Sequence, residues 1–145
     1  MLLVKTYIGK SPVHGLGLFA AEPISAGQEV SRFVPGFDSI CWPEQFIALP
    51  EQAQRFLRCY GFPLELLAPL LQRPVDDLRG GWALEVDNLR FCNHSNTPNL
   101  SADGPVRALR DIHAGEELFQ RYFDYNPAYQ FVDPVHFDPI HIPPR

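Results

Sequence analysis

The chain has 145 residues, the length of a single domain with a hydrophobic core. Its 46% hydrophobic content excludes a disordered or fibrous protein, and fifteen Pro with ten Gly favour short elements and many turns over a helical bundle. The net charge of −5 argues against nucleic acid as a partner and suits a basic, lysine-rich peptide.

Three widely spaced cysteines fit neither a zinc-binding spacing nor a complete set of disulfides, so we expect reduced thiols in the cytoplasm. Residues 1–7 are too short and too polar for a secretion signal. No apolar run in the sequence is long enough to cross a bilayer. We therefore expect a cytoplasmic protein with no membrane partner.

A glycine-containing turn follows the first predicted strand, Leu2–Ile8. The turn carries His14-Gly15-Leu16-Gly17-Leu18-Phe19. Because glycine adopts positive φ and has no side chain, another group can approach this backbone closely. The motif lacks the third glycine of a dinucleotide fingerprint. A tight turn or β-bulge without a ligand remains an alternative.

A short internal repeat follows. Ile24–Val30 and Ile112–Leu118 each place an aliphatic residue before an Ala-Gly turn, and each continues through Glu and another aliphatic into a strand. Two copies are too few for a solenoid. They predict two similar β-turn-β units in one β-rich body.

Between the two copies, Pro50–Tyr60 predicts an amphipathic helix with apolar residues at the spacing of one helical face, namely Ala53, Phe56, Leu57 and Tyr60. A short helix is predicted at 44–49. Short helices or packed turns are predicted at 62–71, where Pro63 and Pro69 interrupt the apolar run. The block is typical of an insertion into a β framework.

The most informative stretch is Arg90–Asn99, which contains a His, a Ser and three Asn. Asn and Ser favour turns because their side chains bond nearby backbone groups. Trp82–Val86 precedes the stretch and Val106–Leu109 follows it, and both are strand-like, as is Glu117–Tyr122 further on. A polar loop between core strands is where scaffolds often present chemistry.

In their order, these features resemble those of the SET-domain protein lysine methyltransferases, over Tyr7 to about Tyr125. The matching segments are His14–Ala20, Ile24–Val30, Arg90–Ser95 and Ala114–Leu118. With its compact middle insertion, the chain looks like the small stand-alone members, such as those of bacteria. The resemblance implies a mainly β, β-clip-like SET domain at 1–126 with a helical insertion at about 43–72. It also implies a C-terminal pseudoknot around the Asn-His loop, and a Pro-rich, aromatic tail at 127–145.

The resemblance further implies S-adenosylmethionine as cofactor and the ε-amine of a lysine in a protein or peptide as methyl acceptor. The implied cofactor-binding residues are His14, Gly15, Leu16, Gly17, Arg90, Phe91, Asn93 and His94. The implied lysine channel is lined by Phe33, Phe37, Gln120 and Phe123, with core packing as the alternative for the first two.

Two tyrosines compete for the catalytic role that the resemblance implies. An ungapped count from Glu116-Glu117-Leu118 reaches Tyr122, although Arg121 stands where the family usually has Asp. Tyr125 has a family-like Phe-Asp-Tyr-Asn context but requires a three-residue insertion. We favour Tyr122 and keep Tyr125 as the alternative.

The tail repeats Asp-Pro-x-His at 133–136 and 138–141, but prolines prevent a helical His pair, so we expect no metal. The resemblance implies that Tyr129 or Phe131 covers the adenine. Because the chain lacks the zinc-binding cysteine cluster of many members, either the tail or the substrate is expected to close the lysine channel. Two other functions remain open: a non-catalytic β-clip binding module, and a degenerate SET protein that binds without turnover.

Overall fold

The computed structural model describes residues 1–102 and 104–125. Within this part of the chain the elements are short, as the many prolines predict. The strands are β1 (Thr6–Lys10), β2 (Leu16–Ala20), β3 (Glu29–Ser31), β4 (Ser39–Cys41), β5 (Phe62–Pro63), β6 (Trp82–Leu84), β7 (Asn93–His94), β8 (Val106–Arg107) and β9 (Phe119–Gln120). The helices are α1 (Pro43–Ala48), α2 (Glu51–Tyr60), α3 (Ala68–Leu71), α4 (Val75–Leu78) and α5 (Tyr122–Tyr125), with 3₁₀ turns at Leu64–Leu67 and Asn88–Phe91.

The first hairpin joins β1 to β2 in antiparallel register, with Gly9 opposite Gly17. The prediction of a first strand at Leu2–Ile8 is wrong in its bounds. Leu3 instead donates its N–H to the carbonyl of Val30 at 2.8 Å, so the first residues run beside β3 before the hairpin begins. The start of β1 is therefore determined by tertiary pairing, which the local sequence pattern does not reveal.

The two copies of the sequence repeat pair with each other. Ile24 and Ile112 exchange two backbone hydrogen bonds of 2.9 and 2.8 Å across an antiparallel bridge. In each turn a side-chain oxygen accepts a backbone N–H. Gln28 Oε1 accepts the N–H of Ser25, and Glu116 Oε1 accepts the N–H of His113. Both acceptors lie four positions after the isoleucine of their copy. The repeat therefore forms two equivalent turns that are packed together.

The insertion contains the longest helix of the described residues, α2. Pro50 caps its first turn and Gly61 ends it, with the Gly61 N–H bonded to the carbonyl of Leu57 at 2.8 Å. Leu57 is buried, whereas Phe56 is partly exposed and lies with its ring 4.9 Å from that of Tyr60. The predicted helix is therefore present, but only part of its apolar face packs into the core.

Two hydrophobic cores hold these elements. The larger one lies in the β body and includes Leu18, Ile24, Val30, Leu100, Ile112 and Leu118. The smaller one lies under the insertion, where Leu64, Leu67 and Leu78 pack with Ala83 of β6. The three-stranded antiparallel sheet β4-β6-β5 connects the insertion to the β body.

The strand predicted at Glu117–Tyr122 is shorter than expected, because only Phe119 and Gln120 form β9 and Tyr122 begins α5. Strand β9 pairs in parallel with β7, so the Asn-His segment lies directly beside the end of the described chain. The predicted threading beneath a C-terminal segment, and the roles predicted for Tyr129 and Phe131, fall on residues outside those described. Among the described residues, no helix has the length and apolarity needed to span a bilayer.

Candidate active site

The glycine turn, residues 14–17, is closed by Ser11 and is exposed at residues 14–16. The Ser11 hydroxyl accepts the N–H groups of Val13 and His14 at 3.0 and 3.1 Å, and the Ser11 N–H bonds the carbonyl of Gly15 at 2.9 Å. Gly15 has φ +51°, and a Cβ built there meets nothing within 4 Å. The turn therefore leaves bare backbone beside open space.

Asn93 binds this turn from the other end of the sequence. Its Nδ2 lies 3.1 Å from the carbonyl oxygen of His14, 3.0 Å from that of Leu16 and 2.9 Å from Glu117 Oε1. All three neighbours are acceptors, which identifies the amide nitrogen as the atom facing them. With two hydrogens for three acceptors, at least one N–H is shared. The two bends that the sequence singled out are thus joined directly.

Glu117 holds a third segment to the same place. Its side chain is buried, and its Oε2 accepts the Ser11 hydroxyl at 3.0 Å while Oε1 faces Asn93. A Cβ on Gly17 would lie 2.1 Å from Oε1, so the second glycine of the turn makes room for this carboxylate. Sequence reasoning placed Glu117 only at a strand entry and missed this role. A single Glu at a strand entry gives no strong signal of this role, because such a residue is most often solvent-exposed.

Tyr122, the first residue of α5, contacts the Asn-His segment. Its hydroxyl donates to the carbonyl oxygen of Cys92 at 2.6 Å, and its backbone N–H donates to His94 Nδ1 at 3.1 Å. The rings of His94 and Tyr122 are 5.4 Å apart. The backbone carbonyl of Cys92 and the ring nitrogen of His94 therefore fix the position of the tyrosine.

A cavity of about 580 Å³ opens beside Tyr122 and Cys92. Part of the lining is apolar and aromatic, with Phe33, Tyr60, Phe62, Leu66, Leu67 and Leu70. Phe33 meets Phe62 edge to face at 5.9 Å between ring centroids. The polar and charged lining residues include Glu29, Arg32, Glu85, Arg90, Gln120 and Asp124. An apolar pocket with a few polar groups is the usual form of a small-ligand site.

The structure brings most of the predicted cofactor residues together. His14, Gly15, Leu16, Gly17 and Asn93 meet at the glycine turn, and His94 follows in β7. The two remaining residues, Arg90 and Phe91, contact each other, with the guanidinium 5.1 Å from the ring centroid. Arg90 also donates to the carbonyl of Val86 and lines the cavity, while Phe91 meets the Tyr60 ring.

The predicted channel residues divide into two groups. Phe33 and Gln120 line the cavity, and Gln120 is fixed by a 2.9 Å hydrogen bond from Nε2 to the carbonyl of Ser101. Phe37 is 48% exposed and is not among the lining residues, so the cavity does not support a channel role for it. The side chains of Phe123 and Tyr125 lie outside the described part of the structure.

Burial strongly affects two ionisable groups at the cavity. It raises the pKa of the Glu85 carboxyl from 4.5 to about 7, against opposing effects of the Met1 amino group and the Ser31 hydroxyl. It also raises the pKa of the Cys92 thiol, and the nearby charge of Glu85 adds to that effect. Cys92 is therefore a neutral thiol that donates to the carbonyl of Leu118 at 3.2 Å.

Comparison with known proteins gives a single consistent result. The sequence profile of the SET domain matches residues 15–123, which include the glycine turn, the Asn-His segment and Tyr122. A search of curated proteins found no match to the chain.

Three solved structures illustrate the structural similarity. A candidate histone methyltransferase of Plasmodium falciparum is 22% identical, with a TM-score of 0.52 over 83% of this chain and 95% of that one. The Neurospora SET domain protein DIM-5, a histone lysine methyltransferase, is 25% identical, with a TM-score of 0.57 over 83% of this chain and 53% of that one. Chaetomium thermophilum Polycomb Repressive Complex 2 bound to S-adenosylmethionine is 24% identical, with a TM-score of 0.56 over 84% of this chain and 15% of that one.

The chain therefore spans nearly all of the Plasmodium chain, about half of DIM-5 and a small part of the Polycomb chain. The fold that these neighbours share is mostly strands with a few short helices, as the sequence predicted. Together with the profile match, they support methyl transfer as the general activity.

Proposed function

This chain belongs to the SET-domain family, and we propose that it transfers a methyl group from S-adenosylmethionine to the ε-amine of a lysine in a protein. One observation carries the proposal. The Tyr122 hydroxyl is bonded to the carbonyl of Cys92 in the cavity wall, and the next residue, Asn93, binds the glycine turn. Two adjacent residues thus connect the cavity to the exposed backbone loop.

The glycine turn fits the cofactor. The carbonyl oxygens of His14 and Leu16 each have a second lone pair beyond the one that Asn93 uses, and these lone pairs suit an α-ammonium group. The open space at Gly15 leaves that backbone accessible. When bound, S-adenosylmethionine supplies a methyl group on a positively charged sulfur.

The cavity suits the lysine side chain. Its apolar lining, including Phe33 and Phe62, packs against the methylene groups and favours the neutral amine over the ammonium, because burial disfavours charge. Aromatic faces also attract a cation before it loses its proton. Positioning of this kind supplies up to about 7–11 kcal/mol in the best intramolecular reactions.

Tyr122 and Cys92 provide the polar atoms at the reacting centre. A tyrosine oxygen and a backbone carbonyl that line one cavity can accept weak C–H···O contacts from a polarised methyl group. Because the 2.6 Å hydrogen bond fixes both oxygens, no reorganisation is required when these contacts form. In this proposal Tyr122 is the catalytic residue, and Gln120, which lines the same cavity, influences how many methyl groups are added.

The substrate that we propose is a lysine in a basic segment of a protein, because the chain carries a net charge of −5. We propose the cytoplasm as its location, since all three cysteines are free thiols.

Calorimetry with S-adenosylmethionine tests the first half of the proposal. We expect binding by the natural chain and a loss of about tenfold or more in affinity for Asn93→Ala, because the carbonyl groups of His14 and Leu16 lose the amide that holds them in place. Asn96→Ala, an exposed position in the same loop, is the matched control and should bind normally. Absence of binding by the natural chain would leave the non-catalytic binding module as the function.

Transfer of labelled methyl groups to lysine-rich peptides tests the second half. The degenerate-protein alternative rests on Arg121, which replaces the usual Asp. Arg121 is 47% exposed, lies 3.9 Å from Asp124 and does not line the cavity, so its side chain does not block the cavity. We therefore expect turnover. Cofactor binding without label transfer to any basic peptide would favour the degenerate protein instead.

A further inference from the structure

We propose that Glu85 is the carboxylate that binds the ammonium group of the incoming lysine and accepts its proton. The inference rests on the proposed function and adds a residue to it. Glu85 directly follows β6 and lines the cavity together with Cys92, Gln120 and Tyr122.

The carboxylate is held in place but retains one oxygen for a ligand. The Ser31 hydroxyl donates to Oε1 at 3.0 Å, and the Met1 amino group lies 3.8 Å from the same oxygen. Among the described residues, hydrogen bonds to this side chain reach Oε1 alone, so Oε2 remains as an acceptor. The side chain is 14% exposed, so an ammonium that reached it would be largely removed from water.

The other two carboxylates of the cavity already have arginine partners. Glu29 pairs with Arg32 at 2.6 Å and with Arg107 at 3.0 Å. Asp124 is half exposed and lies 3.9 Å from Arg121. Within the described lining, Glu85 is the carboxylate without an arginine. It is therefore the group that an incoming cation can reach without displacing a guanidinium.

Glu85 also lies close to the proposed reacting centre. Its charge acts on the Cys92 thiol, and the carbonyl of Cys92 receives the Tyr122 hydroxyl. A lysine amine that had passed its proton to Glu85 would thus remain in the same cavity as Tyr122. No separate path across the protein is required.

The surroundings of Glu85 set its basicity. The groups that face it are the Met1 amino group, the carboxylates of Asp38 and Asp87, the Ser31 hydroxyl and the Cys92 thiol. Burial raises the pKa of Glu85 to about 7, and the two neighbouring carboxylates add to the rise. A carboxylate of higher pKa is a stronger base, and catalytic bases work best with a pKa near the operating pH.

The proton transfer balances without a further reactant. One N–H bond of the ammonium breaks, an O–H bond forms on Glu85, and a cation and an anion become a neutral amine and a neutral acid. Neutralising both groups removes the cost of keeping two charges in a low-dielectric site. Water at the cavity mouth then takes the proton from Glu85.

Binding of n-butylammonium, the probe for the lysine side chain, tests the inference without turnover. We expect carbon-13 NMR of the natural chain to show a Glu85 pKa near 7 that falls when the probe is added. Glu85→Gln keeps an acceptor for Ser31 but carries no charge, and it should bind the probe about tenfold or more weakly, as expected for a hydrogen bond to a charged group. Asp124→Asn, which removes a charge from the same cavity, is the matched control and should retain most of the affinity.

The pH profile of kcat/KM for a lysine peptide provides the second test. The natural chain should show an ionisation near pH 7 that Glu85→Gln lacks and Glu85→Asp retains at a shifted pH. Unchanged probe affinity and an unchanged profile in Glu85→Gln would overturn the inference, as would an equal loss in Asp124→Asn. If Glu85→Gln fails to fold, a Glu85 signal that does not respond to the probe in the natural chain would overturn it.

Different experimental results would contradict the ammonium site at Glu85 and the proposed methyl transfer. Probe binding at Glu85 together with no methyl transfer to any lysine peptide would support the ammonium site and contradict the proposed function. Methyl transfer with a Glu85 signal that ignores the probe would support the proposed function and overturn the role of Glu85.

Discussion

The Nδ2 atom of Asn93 lies 3.0 Å from the carbonyl oxygen of Leu16, although 77 positions separate the two residues in the sequence. The contact requires an amide nitrogen, because the neighbouring groups are all acceptors. It makes the glycine turn and the Asn-His segment a single unit. Changes at either end should therefore alter both stability and cofactor binding.

Replacement of Asn93 by Asp tests this dependence with almost no change in shape. The new carboxylate would face Glu117 and the carbonyls of His14 and Leu16 without a hydrogen to donate. We expect a loss of roughly 1–3 kcal/mol in the free energy of unfolding at pH 7. The loss should shrink as the pH falls, because a protonated Asp regains one donor.

Urea unfolding at pH 5 and pH 7 measures both effects. Asn96→Asp places the same charge at an exposed position of the same loop and serves as the control. An equal loss in both variants would mean that the Asn93 contacts do not stabilise the fold.

The two glycines of the turn should respond differently to alanine. At Gly17 a Cβ would lie 2.1 Å from Glu117 Oε1, and this carboxylate cannot move without losing Ser11 and Asn93. We expect Gly17→Ala to cost roughly 2–4 kcal/mol, in the range of buried overpacking and broken networks. At Gly15 space is available, and the positive φ should cost only about 1 kcal/mol.

A double-mutant cycle isolates the cause. If the clash with Glu117 dominates, Gly17→Ala should cost much less in a Glu117→Ala background than in the natural chain. Urea unfolding of the four proteins measures the coupling. Additive effects would show that Gly17 is required for a reason other than space for the carboxylate.

The sequence predicted the parts of this site that local chemistry determines. The glycine turn, the Asn-rich loop and α2 each depend on residue types with strong local preferences, and all three are present. The repeat at Ile24 and Ile112 predicted two similar turns but not their mutual pairing. The order of residues along the chain gives no information on the spatial distance between remote segments.

What the sequence did not predict depends on tertiary packing. Glu117 becomes the buried centre of the turn only because Ser11 and Asn93 converge on it. Glu85 lines the cavity together with residues far from it in the sequence, and its Oε1 lies 3.8 Å from the Met1 amino group. Neither residue stands out in the sequence, since a single Glu beside a strand is most often solvent-exposed.

Glu85 should also make the stability of the protein depend on pH. Because its pKa is raised from 4.5 to about 7 in the folded chain, the folded state holds this proton more tightly than the unfolded state does. Stability from this group is therefore fully present below about pH 4.5 and is lost as the pH rises through 7. The shift corresponds to about 3 kcal/mol at most.

Comparing the natural chain with Glu85→Gln between pH 4.5 and 8 isolates this contribution. We expect the variant to become the more stable of the two as the pH rises, with the difference close to zero at pH 4.5. Glu44→Gln, at an exposed position of α1, provides the baseline for removal of a carboxylate. A difference between the natural chain and Glu85→Gln that stays constant with pH would show that Glu85 keeps its ordinary pKa in the folded protein.

The tyrosine pair provides the most direct test of the chemistry. Tyr122→Phe removes the hydroxyl that is bonded to Cys92 at 2.6 Å but leaves the ring beside His94. We expect kcat to fall about a hundredfold or more, the effect of removing one preorganised polar group, while the affinity for S-adenosylmethionine stays within a few fold. Tyr125→Phe removes the same atom three residues later and should have the smaller effect. Single-turnover methyl transfer with calorimetry on each variant separates chemistry from binding.

If only the Tyr125 change abolishes transfer, the catalytic tyrosine lies three residues further along than the ungapped count from Glu116 indicates. The hydrogen bond from Tyr122 to Cys92 would then have a purely structural role, with a cost of about 1 kcal/mol in stability and none in rate.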